Sequence, residues 1–211
     1  MPARRAWAAI ERSGMREEIE RCTFESFVAS SEWQEHVLIQ AKAYVTKVLN
    51  GSKGWFVILG QSGSGKTHLS SAICGDLLRA RKQVRYSKWR EVLLKAKNRF
   101  SDSDPDGNNS DYIESLKEVE ILYIDDLFKG TISQADIAFA FELINERLTR
   151  KLPTLVSSEL MPGDLYKIDE AIGGRLIEAA AVGELVVISK NPKRNFRSQQ
   201  VSQNVIGAGK V

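Results

Sequence analysis

Eight consecutive residues, Gly60-Gln61-Ser62-Gly63-Ser64-Gly65-Lys66-Thr67, constrain what this chain can fold into more than any other stretch. They satisfy the spacing G-x-x-x-x-G-K-[ST]. They also follow Trp55-Phe56-Val57-Ile58-Leu59, a short apolar run of the kind that forms a buried parallel strand. Glycines in such a loop let successive backbone N–H groups turn inward around phosphate oxygens, and a helix opening near Lys66 aims its positive dipole end at the same anion. Lys66 is placed to reach the β and γ phosphates, and Thr67, on the first helical turn, to offer its hydroxyl to Mg²⁺. The candidate nucleotide-binding residues are therefore Gly60, Gln61, Ser62, Gly63, Ser64, Gly65, Lys66 and Thr67, with ATP and Mg²⁺ as cofactors.

The remainder of the chain supplies the sheet that this unit requires. Val37, Ala41, Tyr44, Val45, Val48 and Leu49 recur at helical spacing and predict a helix over 32–49, stopped by Asn50-Gly51-Ser52. A helix over 66–81 follows the loop, then a strand over 84–86 and a helix over 88–97 carrying Trp89, Val92 and Leu93 on one side. Residues 100–111 are rich in Ser, Asp, Asn, Pro and Gly and read as an exposed, mobile loop. A strand over 121–124 comes next. Ile137, Phe141, Ile144 and Leu148 then mark a helix over 134–150. Further pieces are a strand at 154–156, short helices at 164–168 and 174–180, and a last strand at 185–188. Strands alternating with helices predict an α/β fold with a parallel sheet covered on both faces.

Composition narrows the setting. At 211 residues one main domain is expected, and 43% hydrophobic with 27% charged residues is the balance of an ordinary globular protein. The two cysteines, Cys22 and Cys74, fit neither a CxxC pair nor a zinc-ligand spacing. No apolar stretch approaches ~18 residues, so no membrane partner is expected and the cytoplasm is the expected compartment. The first ten residues are basic and free of acid, but Glu11, Glu17, Glu18 and Glu20 follow at once and argue against a transit peptide.

A phosphate loop alone does not fix the chemistry, so a carboxylate at the tip of a second buried strand is the next requirement. Ile121-Leu122-Tyr123-Ile124-Asp125-Asp126 meets it. Asp125 is placed to hold Mg²⁺ through water, and Asp126 to orient and polarise the attacking water. A plainer alternative stays open, because apolar strands often end in Asp simply to begin a turn. His68 beside the loop and Trp89 at helical spacing both read as packing residues.

Taken in order, five segments resemble a family. They are Thr23-Phe24-Glu25-Ser26-Phe27, the loop extended through His68-Leu69, Tyr123-Ile124-Asp125-Asp126-Leu127, Pro153-Thr154-Leu155-Val156-Ser157-Ser158, and Gly174-Arg175-Leu176-Ile177-Glu178. This set is similar to the AAA+ helicase loaders of the DnaC and DnaI type, to which the transposition ATPase IstB is related. The resemblance implies a P-loop NTPase (AAA+) three-layer sandwich with a parallel central sheet and, since few residues follow Ile188, no substantial C-terminal lid. It also implies an ATPase that serves DNA replication by loading a replicative helicase, binds single-stranded DNA, and works as a homo-oligomer. Arg175 matches the family's arginine finger and joins Lys66 and Asp126 in the catalytic set.

The family usually places Asn after its Thr/Ser-Ser pair. Here Glu159 stands there, so Ser158 is expected to supply the polar contact to the γ phosphate, and hydrolysis is expected to be slow. The net charge of +3, from 30 basic and 27 acidic residues, is too small to establish a nucleic-acid partner. A basic stretch with Lys190, Lys193, Arg194 and Arg197 around Phe196 is compatible with one. The expected division is a helical arm over 1–22, an ATPase domain over 23–190 and a flexible basic tail over 191–211. Within the arm, 4–21 is the only candidate handle for a helicase. Two other functions fit the same residues: a transposition helper that coats duplex DNA, and a nucleotide-binding helicase adaptor with little hydrolysis.

Overall fold

The computed structural model describes residues 14–98 and 107–196. Its strands are β1 (Phe56–Gly60), β2 (Val84–Lys88), β3 (Ile121–Asp125), β4 (Thr154–Ser158) and β5 (Glu184–Ile188). They form one parallel sheet in the order β2-β3-β4-β1-β5. The three central strands are buried at every position, because helices cover both faces and leave no solvated side to favour alternation. Leu59 pairs with Ser158, and Ile124 with Val156. That register sets the carboxyl ends of β1, β4 and β3 side by side, the place where parallel sheets offer a crevice to ligands.

Along β1 the side chains divide the core in two. Phe56 and Ile58 point into one half with Tyr44, Leu69, Ile73 and Tyr123. That half is closed by α1 (Arg16–Arg21), α2 (Glu32–Leu49) and α3 (Lys66–Arg79). Val57 and Leu59 point into the other with Trp89, Leu122, Ile124 and Leu143. It is closed by α4 (Trp89–Asn98), α5 (Asn108–Glu118), α6 (Gln134–Thr149), α7 (Pro162–Ile168) and α8 (Glu170–Val182). The three layers expected from the alternating pattern are therefore present.

One feature differs from the expectation. Helix α5 begins inside the segment read as a loop, where Asn108, Asn109, Ser110 and Asp111 look like turn residues. Gly107 enters it with φ 70°, and Ile113 and Leu116 bury against the second half-core. The described parts of the proposed arm and tail, 14–22 and 191–196, pack against the rest of the fold. Met15 and Ile19 lie in the first half-core, with Ile19 packed closely over Gly75 of α3. After β5 the chain makes a short 3₁₀ turn, Pro192–Arg194, and returns to the phosphate loop. Among the described residues nothing after Ile188 forms a lid, and no helix is long and apolar enough to cross a membrane. The first ten residues and Arg197 lie outside the described residues.

Candidate functional site

The loop between β1 and α3 is shaped by glycines in left-handed backbone, where a side chain would be strained. Gly63 and Gly65 have φ 74° and 88°, and a β-carbon on Gly63 would overlap the side-chain oxygen of Asn195. Inside the loop, Ser64 is fully buried and donates to the Gln61 carbonyl at 2.8 Å. The Lys66 ammonium donates to the carbonyls of Gly60 at 2.7 Å and Gln61 at 2.9 Å. Burial pulls its pKa below the usual lysine range, opposed by the nearby carboxylates of Glu159, Asp126 and Asp125.

The loop forms the floor of a cavity of about 670 Å³. Ser62 through Thr67 line it, facing Asp126, Lys129 and Glu159. Arg21, Phe27 and Phe196 also line it, the two phenylalanines close against Gly65. His68 takes no part in the phosphate end. Its Nε2 lies 2.9 Å from the Thr23 carbonyl and 3.2 Å from the Ser26 hydroxyl, and its ring meets Phe27 edge-on at 5.3 Å. It thereby ties residues 23–27 to α3. Phe27 in turn meets Phe196 at 5.9 Å. The segment carrying Phe196 is fixed to the loop by a Phe196 N–H bond to the Gly63 carbonyl at 2.9 Å. Gln61 and Asn191 exchange two further bonds, of 2.8 and 2.7 Å. Arg194 lies over Trp33 at 5.2 Å.

At the end of β3 the two aspartates have different surroundings. Asp125 is only 6% exposed and accepts from three hydroxyls: Tyr123 at 2.7 Å, Ser157 at 2.5 Å and Tyr86 at 3.1 Å. Burial and the charge of Asp125 push both tyrosine phenols above their ordinary pKa, so they remain donors. Asp126 turns the other way. Its backbone is left-handed, φ 58°, its N–H donates to the Ser157 hydroxyl at 3.0 Å, and its carboxylate enters the cavity. There it accepts from Lys129 at 2.8 Å, and the same ammonium lies 3.1 Å from Glu159.

The structure thus brings Lys66, Thr67 and Asp126 together, with Asp125 directly beneath. It does not bring Ser158 to them. That hydroxyl is fully buried, donates to the Leu127 carbonyl at 2.7 Å and accepts from Leu160 N–H at 3.3 Å, so it has turned away from the cavity. Glu159 is the residue of β4's end that reaches the cavity wall. Arg175 lies elsewhere. It lines a second cavity of about 840 Å³ with Trp55, Asn145 and Lys151, donates to Asn145 at 3.2 Å and to the Ala171 carbonyl at 3.3 Å, and stacks over Phe141 at 4.5 Å. Trp89 is a core residue between Phe128 and Phe139. Sequence reasoning passes over Lys129, Ser157, Tyr86 and Tyr123; only the i, i+3 spacing of Asp126 and Lys129 hints at their pairing.

No group of three or more His, Cys, Asp or Glu that could hold a metal occurs among the described residues. The donors that do fit Mg²⁺ are hard oxygens, the Thr67 hydroxyl and the three-times-anchored carboxylate of Asp125.

A family model described as IstB-like ATP binding protein matches residues 33–175. The replicative helicase loader DnaC of Escherichia coli K12 is 26% identical over 174 residues, covering 82% of this chain and 69% of its own length. The phage-like element PBSX protein XkdC of Bacillus subtilis is 35% identical over 155 residues, covering 71% of this chain and 56% of its own. Among solved structures, DnaI superposes with a TM-score of 0.67 at 20% identity, covering 85% of this chain and 93% of that one. The likeness shows the fold, a parallel sheet covered by helices on both faces.

Proposed function

This chain belongs to the family of IstB-like ATP binding proteins. From that premise we propose that it is an ATP-dependent accessory protein of DNA replication in the cytoplasm, one that loads a replicative helicase. On this reading it hydrolyses ATP, binds single-stranded DNA and assembles with copies of itself. The carrying observation is the convergence of Lys66 and Thr67, from the loop and α3, with Asp126, from the end of β3, on one cavity. The loader role is that of the replicative helicase loader DnaC, whose similarity spans four-fifths of this chain.

Each residue has work that its position suits. The loop N–H groups and Lys66 cradle the phosphates and offset charge on the β and γ oxygens. Asp126 accepts a proton from the water that attacks the γ phosphorus, and Arg175 serves the site of a neighbouring copy. Mg²⁺, held by Thr67 and through water by Asp125, would supply positive charge to the phosphate oxygens. Lys66→Ala is expected to weaken ATP binding and lower turnover by about 10²-fold, the scale for removing one such electrostatic contact. Asp126→Asn is expected to keep ATP binding and lose turnover to a similar degree, both being read by steady-state phosphate release.

A pull-down of the chain with a replicative helicase, with ATP and single-stranded DNA present, tests the loader role. Selective capture supports it. Filaments on duplex DNA without helicase capture would sink it in favour of a transposition helper. An adaptor with little hydrolysis is the second reading, favoured by the Lys129 ion pair that occupies Asp126. Tight ATP binding with negligible turnover, even with helicase and DNA added, would establish that instead.

A further inference from the structure

The nucleotide cavity contains a charged side chain that the ATPase reading leaves without a role. Lys129 follows Asp126 in a tight turn closed by its own N–H donating to the Asp126 carbonyl at 3.0 Å. Two residues of this turn, Asp126 and Phe128, hold left-handed backbone with φ 58° and 61°, a conformation that is unfavourable for a residue as bulky as Phe. Core contacts hold it in place. Phe128 is 3% exposed and meets Trp89 edge-on at 5.7 Å, while Leu127 is buried and donates its N–H to the Ser157 carbonyl at 2.8 Å. A lysine on a merely solvated turn would need neither the strained backbone nor the anchor.

The turn carries the Lys129 side chain back over the cavity. Its ammonium bridges Asp126 at 2.8 Å and Glu159 at 3.1 Å, with all three side chains between one third and one half exposed. Lys66, Lys129, Asp126 and Glu159 therefore line one cavity, two cations and two carboxylates. Left unpaired, Glu159 would repel a triphosphate at the end nearest β4. Paired, it is neutralised, but at the cost of holding the lysine that also restrains Asp126.

We infer that Lys129 is the residue that distinguishes a bound triphosphate from a diphosphate. The inference rests on reading this cavity as an ATP site. When a γ phosphate is present, the ammonium moves from the two carboxylates to its oxygens, and Asp126 is released. The attacking water then gives its proton to Asp126 as its oxygen bonds to the γ phosphorus and the bond to the β–γ bridging oxygen breaks, leaving ADP and phosphate. With ADP bound, Lys129 stays on Asp126 and Glu159. Glu159 is thus a positioning residue that parks the lysine.

The test uses the full chain and compares the affinities of a non-hydrolysable ATP analogue and ADP. Lys129→Met is expected to weaken the analogue by about tenfold, the scale of one charge-assisted hydrogen bond, with ADP affinity held within about twofold. Lys129→Arg is expected to retain most of the discrimination, and Glu159→Gln to strengthen the analogue by removing one competing carboxylate. Thermal unfolding of each variant checks that the fold is kept. If Lys129→Met changed both affinities equally, or neither, the inference would be overturned while the ATP reading stood. If the unsubstituted chain bound no ATP analogue, the ATP reading would fall and the inference with it.

Discussion

Arg175→Ala is expected to lower turnover by about 10³-fold or more while leaving ATP affinity unchanged, the scale for an arginine that stabilises a transferring phosphoryl group. Geometry rules out action on the phosphates bound by its own chain. Arg175 shares a cavity with Trp55, which precedes β1, whereas the phosphate loop leaves the opposite end of that strand. Five residues of strand put about 16 Å between those ends. A guanidinium serving catalysis from there must serve a neighbouring copy. Its present contacts, Phe141 at 4.5 Å and Asn145 at 3.2 Å, hold the side chain along α8. Mixing decides the matter. An Arg175→Ala chain keeps its loop and Asp126, and an Asp126→Asn chain keeps its Arg175, so the mixture is expected to regain activity that neither shows alone. A drop in thermal stability with no recovery on mixing would instead make Arg175 a residue that fastens α8 to α6.

That result would also separate what the sequence encodes locally from what only the fold assembles. The strand, loop and helix around Gly60 to Thr67 are contiguous, so spacing and the apolar run identify them without a structure. The same holds for Asp125 and Asp126, which end a buried strand. Residues that act through a distant neighbour leave no such trace. Ser157 is one of two adjacent serines, and nothing local says that it, and not Ser158, bonds both aspartates. Tyr86 reaches Asp125 only because β2 pairs with β3. Helix α5 is hidden for another reason. Its first turn is written in residues that favour turns, and what makes it a helix is the burial of Ile113 and Leu116. The segment 191–196 looks like tail by composition, yet Asn191 and Phe196 tie it to the loop.

Arg147 makes the largest stability prediction, and it is also invisible to spacing. It is fully buried on α6, and among the described residues no carboxylate forms an ion pair with it. Its guanidinium is satisfied by uncharged oxygens: Thr154 at 2.8 Å, the Leu116 and Val119 carbonyls at 2.7 and 3.0 Å, and the Pro153 carbonyl at 2.9 Å. Burial pulls its pKa down to about 9, still above neutrality, so the charge and all its donors are kept at pH 7. These bonds join α6 to the end of α5 and the start of β4, and so fix the strand whose far end carries Ser157. Arg147→Met fits the volume but removes the donors to the buried Leu116 carbonyl and the part-buried Val119 carbonyl, while the Pro153 carbonyl keeps only the Leu122 N–H at 3.4 Å, at about 1–3 kcal/mol for each buried group left without a partner. Relaxation recovers part of that, so a loss of about 3–5 kcal/mol is expected. For a domain of this size that is a fall in Tm of roughly 10 °C. Thr154→Val removes one of the partners and is expected to cost only about 1 kcal/mol. Urea unfolding of both variants measures the difference. An Arg147→Met loss no larger than that of Thr154→Val would mean that packing of the side chain stem, and not its four hydrogen bonds, holds α6 to the sheet.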